Sequence, residues 1–169
     1  NGAFGCYTPR MREYVHAAEW SGLNLPDTAV VLTRKPRIFH LMSGVKARTF
    51  PLHEQSDSLM AAAQEADARY AMIDYIDNLA SLYLIPAVHE QPGGFCALAG
   101  FGGDERGIQT QLLGILPRSE WITNASVGED EGVTSVSMGT CDLRYRPDSS
   151  EDISEEPSTE VPLLKGLDS

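Results

Sequence analysis

The segment that most constrains the fold is a short, almost wholly apolar run, Thr28 to Thr33 (TAVVLT). A run of this length with helix-period patterns before and after it indicates a central β-strand that is covered on both faces. The helix before it is expected to begin at Thr8 and Pro9, a capping hydroxyl followed by proline, and to end at Gly22. A strand between two helices is typical of a parallel α/β sheet.

The alternation of helices and strands continues as far as Pro117. Further helices are predicted at 36–44, at 56–67 and after Asp77 or Asn78, with Pro86 kinking or dividing the last one. Further strands are predicted at 45–50, 69–76, 95–101 and 108–116, the last two joined by a hairpin loop at 102–107. Right-handed crossovers make the first three strands parallel, in the order 2-1-3. The predicted fold class is therefore α/β, with three layers, a mainly parallel sheet and an antiparallel C-terminal hairpin at its edge.

Three parts of the chain differ in pattern. Residues 1–117 form the predicted α/β core, and residues 118–146 are weakly patterned. Within the second part, Val133 to Met138 and Cys141 to Arg146 could form a small hairpin. Residues 147–169 are rich in Ser, Pro and acids and are expected to be a disordered or loosely docked tail.

Charge argues against nucleic acid as a partner. The net charge is -11, but residues 129–169 hold 11 acids and three bases, so the rest of the chain is close to neutral. Nucleic-acid binding needs a cationic surface, and no part of the sequence supplies one.

Neither a membrane span nor a signal peptide is visible in the sequence, since no apolar run approaches the ~20 residues that cross a bilayer. The chain begins with Asn1, which suggests a fragment or a processed form. Three cysteines are too few for a disulfide framework or a metal site. Cys6 and Cys141 could pair in an oxidising compartment, and the alternative is three unpaired thiols, with Cys96 in a strand.

Charged and polar side chains follow the three strands that are predicted to be parallel. They are Arg34, Lys35 and Arg37 after the first strand, His53 after the second, and Asp74 and Asp77 in and after the third. Ligands of open parallel sheets bind at the carboxyl ends of the strands, near the point where strand order reverses. These six residues therefore predict a ligand-binding cleft, in which the arginines could hold a phosphate. The alternative is that they are surface charges that pair with one another, with Asp77 as a helix cap.

Signatures of catalysis and of cofactor binding are missing from the sequence. No glycine-rich phosphate loop follows the first strand, and no Gly-x-Ser-x-Gly elbow is present. No cysteine has an evident histidine partner, and the four histidines lie in separate elements without metal-ligand spacing. The sequence therefore predicts no catalytic residue, no metal and no cofactor.

Short blocks from Ala17 onward (AAEW, NLPDTAVVLTRKPRIFHLMSG and FPL, then YAMIDYI, SLYLIPAV and FCALAGF) show a family resemblance. In their order they resemble the extracytoplasmic C-terminal region of polytopic membrane glycosyltransferases. The family is that of dolichyl-phosphate-mannose–protein mannosyltransferases and aminoarabinose-transferase-like bacterial enzymes. The resemblance extends from about Met11 to Pro117.

This resemblance implies a non-catalytic domain on the periplasmic or cell-surface side that positions substrate or stabilises its parent enzyme. Its implied partners are the transmembrane portion of the parent chain and a lipid-linked sugar phosphate or anionic lipid head groups. The family's catalytic acids belong largely to the membrane portion, so no catalytic residue carries over to this chain. The alternative is an independent α/β module that binds a small phosphorylated or sugar ligand.

Overall fold

The first helix, α1 (Pro9–Asn24), begins at its predicted cap, where Thr8 Oγ1 accepts the N–H of Met11 at 3.3 Å. The structure is a computed structural model, which describes residues 7–103, 109–123, 126–130, 133–142, 144–145 and 161–164. The helix does not end at Gly22, as predicted, but two residues later. A Cβ at Gly22 would lie 2.4 Å from the carbonyl oxygen of Ser43, so this glycine allows α1 to pack closely on the second helix.

Five strands form the main sheet. They are β1 (Val30–Leu32), β2 (Lys46–Arg48), β3 (Tyr70–Ile73), β4 (Phe95–Phe101) and β5 (Thr110–Ile115). Their order is β2-β1-β3-β5-β4; β1 pairs in parallel with β2 and β3, and β5 pairs antiparallel with β3 and β4. The predicted order 2-1-3 and the antiparallel edge hairpin are therefore confirmed. Residues 104–107 of the predicted hairpin loop lie outside the described residues.

Helices cover both faces of this sheet, as the three-layer prediction requires. The remaining ones are α2 (Pro36–Ser43), α3 (Ser56–Glu65) and α4 (Ile85–Glu90). Because side chains alternate along a strand, Val31 and Met72 pack under α1 and α2, while Leu32 and Ile73 pack under α3 and α4. Each face therefore has its own apolar core.

Pro86 divides the fourth helical region, as predicted. A π-helical segment, Ala80–Leu84, leads directly into α4, and Pro86 lies in the first turn of α4. Proline has no N–H to donate to the turn before it, so the regular hydrogen-bond pattern is interrupted at this point.

The segment after β5 differs from the prediction. Strands β6 (Ser126–Asp130), β7 (Val133–Ser137) and β8 (Val161–Leu164) form a separate antiparallel sheet in the order β6-β7-β8. The strand predicted from Val133 is therefore present, but it pairs with β6 and β8 rather than with residues 141–146. The other residues of the predicted acidic tail lie outside the described part, and the division into three parts stays a prediction.

Cys141 forms a disulfide with Cys96 of β4, so the pairing of Cys141 with Cys6 and the alternative of three free thiols are both wrong. Residues 139–141 lie along β4: the N–H of Ala97 donates to the carbonyl of Gly139, and the N–H of Cys141 donates to the carbonyl of Ala97, both at 2.9 Å. These hydrogen bonds bring Cys141 next to Cys96. The two cysteines are 45 positions apart, so the sequence alone does not indicate that they pair. Cys6 lies outside the described residues.

Candidate functional site

The reversal of strand order lies between β1 and β3, because β2 is on one side of β1 and β3 is on the other. The two strands are parallel, so their carboxyl ends meet at one edge of the sheet. Arg34 and Lys35 follow β1 there, and Asp74 and Asp77 follow β3. The structure therefore brings four of the six predicted site residues together.

Arg34 and Lys35 share the carboxylate of Asp77. The Arg34 Nε lies 3.2 Å and the Lys35 Nζ 3.8 Å from Asp77 Oδ2, and about a third of each of these three side chains is exposed. The other carboxylate oxygen, Asp77 Oδ1, accepts the N–H of Leu79 at 3.0 Å. Asp77 thus accepts a backbone N–H just before the next helical segment, whose cap residue is Leu79, and is the anionic partner of two cations.

Asp74 lies behind this ion pair and has no exposed surface. Its Oδ1 accepts the N–H of Ile76 at 3.2 Å, whereas its Oδ2 is buried and has no hydrogen-bond partner in the part of the chain that the structure describes. Burial raises the pKa of Asp74 to about 6, and the negative charge of Asp77 adds to this. The hydrogen bond from Ile76 and the charges of Lys35 and Arg34 oppose the rise. Asp74 is therefore an acid that can change charge near neutral pH.

Tyr14 of α1 holds the backbone of the basic turn. Its hydroxyl donates to the carbonyl oxygen of Lys35 at 2.8 Å and lies 3.2 Å from Thr33 Oγ1. The side chains of Tyr14 and Thr33 are fully buried, and burial raises the pKa of Tyr14 above its ordinary range. This contact was not predicted from the sequence, although a tyrosine on the buried face of a helix indicates that its hydroxyl needs a partner inside the protein.

Thr110, the first residue of β5, adds a second buried polar atom without a partner. Its hydroxyl oxygen is fully buried and has no hydrogen bond among the described residues. The ladder between β3 and β5 ends at the pair Ile73 and Gln111. Asp74 follows Ile73 and Thr110 precedes Gln111, so each of these two incompletely bonded residues is one position beyond that last pair.

Arg37 and His53 are not part of this cluster. Arg37 lies in the first turn of α2 and His53 in the segment between β2 and α3, and both are exposed. In the described part of the chain, neither forms a hydrogen bond or ion pair with Arg34, Lys35, Asp74 or Asp77. Arg37 lies beyond the turn and His53 five residues past β2, so proximity along the chain does not bring them to the site. Their role in binding stays a prediction.

A second candidate is a groove of about 670 Å³ at the opposite edge of the sheet. Its walls come from α3, from residues 67–69, which precede β3, from residues 115–118 and 120 at and after the end of β5, and from residues 144 and 145. These segments are far apart in the sequence, and no local pattern predicts the groove. Arg144 binds both carboxylate oxygens of Glu120, at 2.8 and 2.9 Å, and Arg118 lies 3.4 Å from Asp57. Each of these arginines has its own acidic partner, whereas Arg34 and Lys35 share the single carboxylate of Asp77.

Other kinds of site find no support in the described ranges. No group of three or more His, Cys, Asp or Glu side chains there is arranged to hold a metal ion. Among those same residues, no helix is both long enough and apolar enough to cross a bilayer. The carboxyl edge of β1 and β3 instead holds charged groups: the cations Arg34 and Lys35, the carboxylate of Asp77 that they share, and the buried acid Asp74.

Comparisons with known proteins add no further constraint. No family model, no curated protein and no solved structure matches this chain. The function is therefore argued from the geometry of the site and from the chemistry of its residues.

Proposed function

We propose that this chain is a non-catalytic, extracytoplasmic α/β domain that binds the phosphate group of a ligand at the carboxyl edge of β1 and β3. As part of a membrane glycosyltransferase-like protein it would position a lipid-linked sugar phosphate or contact anionic lipid head groups. The transmembrane portion of the parent chain would be its partner. The family resemblance supports a membrane glycosyltransferase-like parent protein. The charged edge of the sheet supports a ligand that carries a phosphate group.

The observation that carries the proposal is the sharing of Asp77 by Arg34 and Lys35. In the described part of the chain, these two cations have no other carboxylate within ion-pair distance. The pairs are partly exposed, and such ion pairs contribute only about 0–1 kcal/mol, so an incoming phosphate can displace Asp77 at little cost. Arginine also binds a phosphate through two parallel hydrogen bonds.

The disulfide between Cys96 and Cys141 supports the location. Both cysteines are buried, and the disulfide joins β4 to residues 139–141. Structural disulfides persist in the periplasm and outside the cell, whereas thiols are kept reduced in the cytosol. A domain that depends on this bond therefore fits an extracytoplasmic compartment.

Binding to the oxidised chain tests the ligand class. Inorganic phosphate and a hexose 1-phosphate are titrated against it and followed by calorimetry and by amide NMR shifts. We expect shifts at residues 33–37 and 74–79, and loss of binding when Arg34→Gln and Lys35→Gln are combined. Lys46→Gln combined with Arg118→Gln is the matched control, because it also removes two charges and both are exposed and away from the carboxyl ends of β1 and β3. No binding of either probe, or an equal loss in the control, would overturn the proposal.

Two further measurements address the parent and the source of the phosphate. Vesicles with and without anionic lipid show whether a membrane surface competes with free phosphate for the same residues. The complete reading frame shows whether transmembrane segments precede Asn1. Several such segments would support the glycosyltransferase-like parent, and none would leave an independent binding module.

A further inference from the structure

We propose that the anion site takes up a proton together with its ligand, and that Asp74 is the group that receives it. This inference rests on the proposed function, since it concerns the same site. It narrows the ligand class to anions that bind more tightly at lower pH. It also gives a role to the buried carboxyl group of Asp74, which phosphate binding alone does not use.

The charge balance of the site favours proton uptake when an anion binds. With both acids ionised, Arg34 and Lys35 are balanced by Asp74 and Asp77. A bound anion adds negative charge to a balanced cluster, and the group that can remove it most readily is the acid that is least stable when ionised. The carboxylate of Asp77 has two cations and the Leu79 N–H, whereas that of Asp74 has one backbone donor and no solvent.

Thr110 is a candidate acceptor for the protonated state. The O–H of a neutral Asp74 needs an acceptor inside the protein, and Asp74 and Thr110 come one residue beyond the last pair of the β3–β5 ladder, Ile73 with Gln111. Among the described residues, neither Asp74 Oδ2 nor Thr110 Oγ1 has a hydrogen-bond partner. A hydrogen bond between the two would satisfy both atoms. The proton comes from solvent, and no other bond is made or broken.

Other titratable or charged groups lie on the elements packed against Asp74. From α1, Tyr14 stays neutral because burial raises its pKa, and Glu13 lies 3.5 Å from Arg10. His40 and Arg37 of α2 and His16 of α1 are exposed, and the Nδ1 of His40 lies 2.9 Å from the carbonyl oxygen of Val45. Proton uptake by any of these groups would persist in Asp74→Asn, so that variant separates them from Asp74.

The expected pH dependence follows from linkage. Ligand binding raises the pKa of Asp74 further, so affinity increases as pH falls from the bound pKa toward the free value of about 6. Between these two values the change is at most about tenfold per pH unit, because one proton is taken up. Below the free value affinity levels off.

The test uses sulfate, because it does not titrate near neutral pH. Calorimetry above the free pKa, in two buffers of different ionisation enthalpy, gives the protons taken up per sulfate. For the natural chain we expect uptake of a fraction of one proton and an affinity that rises with acid. Asp74→Asn should bind sulfate with no proton uptake and no pH dependence. Asp27→Asn, in an exposed turn, should behave like the natural chain.

The outcomes separate the two proposals. No binding of either sulfate or inorganic phosphate at any pH overturns the proposed function itself. Binding with a constant affinity, or proton uptake that survives in Asp74→Asn, overturns only the role of Asp74. If Asp74→Asn does not fold, ¹³C NMR of the Asp74 carboxyl in the natural chain gives its pKa with and without sulfate. A pKa that sulfate leaves unchanged would also overturn the inference.

Discussion

The hydroxyl of Tyr14 donates to the carbonyl oxygen of Lys35 at 2.8 Å and so ties the first helix to the turn after the first strand. The two residues are 21 positions apart. The side chain of Lys35 contributes charge to the site, whereas its backbone carbonyl accepts the hydrogen bond from Tyr14. The shape of the basic turn is therefore determined by a residue that has no charge and no exposed surface.

Removing this hydroxyl should loosen the turn. We expect Tyr14→Phe to lower the free energy of unfolding by about 1–2 kcal/mol, because the Lys35 carbonyl and the Thr33 hydroxyl lose a buried partner. Phosphate affinity should fall as well, since Lys35 is no longer held. Urea unfolding and a phosphate titration measure both effects. Tyr83→Phe is the control, and equal losses in the two variants would contradict a specific role for Tyr14.

The Cys96–Cys141 disulfide should contribute strongly to stability. It closes a loop of 45 residues, and loss of a disulfide from a small domain costs about 2–5 kcal/mol. We expect replacement of both cysteines by alanine to reduce stability within this range. Thiol titration of the denatured, unreduced chain provides an independent check. More than one reactive thiol among the three cysteines would contradict the bond.

Gly114 should tolerate no side chain. A Cβ there would lie 2.6 Å from Cys96 Sγ, 2.8 Å from Cys141 Sγ and 3.0 Å from the ring of Tyr145. We expect Gly114→Ala to destabilise the protein by about 1–3 kcal/mol through overpacking, as measured by thermal unfolding. At Gly100 an added Cβ meets only the side chain of Gln109, so Gly100→Ala is the control. An unchanged melting temperature for Gly114→Ala would show that the disulfide can move aside.

Stability should also depend on the charge of Asp74. Its pKa is raised from 3.8 to about 6 in the folded chain, so the folded state holds the proton more tightly than the unfolded state. Stability from this group is therefore fully present below the unfolded value and is lost as pH rises through the folded value. We expect a loss of about 2–3 kcal/mol between about pH 4 and pH 7, seen as the difference between the natural chain and Asp74→Asn.

Groups other than Asp74 cancel in this difference, which is the reason for comparing the two chains across the pH range. Asp27→Asn, at an exposed turn, serves as the matched control and should show no such slope. A difference between the natural chain and Asp74→Asn that stays constant with pH would mean that Asp74 has an ordinary pKa.

The carboxyl-edge site could be predicted in part from the sequence. Arg34, Lys35, Asp74 and Asp77 follow directly from the rule that parallel strands end at one edge, and they lie together as expected. The contact of Tyr14 with the basic turn depends on the packing of α1, which brings together residues 21 positions apart.

Local patterns were also a poor guide where distant segments meet. Gly22 marked the end of a helix by its residue type, yet its function is to allow close packing on Ser43. The pairing of Cys96 with Cys141 depends on where residues 139–141 dock, which no nearby residue signals.

Patterns in the amino-acid sequence predict the alternation of helices and strands, the order of the three parallel strands and the presence of opposite charges at their ends. These features depend on apolar periodicity, caps and the handedness of crossovers, all of which act over short stretches of chain. The folded domain is needed to show which charges meet, which acid is buried and which cysteines pair. Those outcomes depend on distances between residues far apart in the chain, and packing of the whole domain sets those distances.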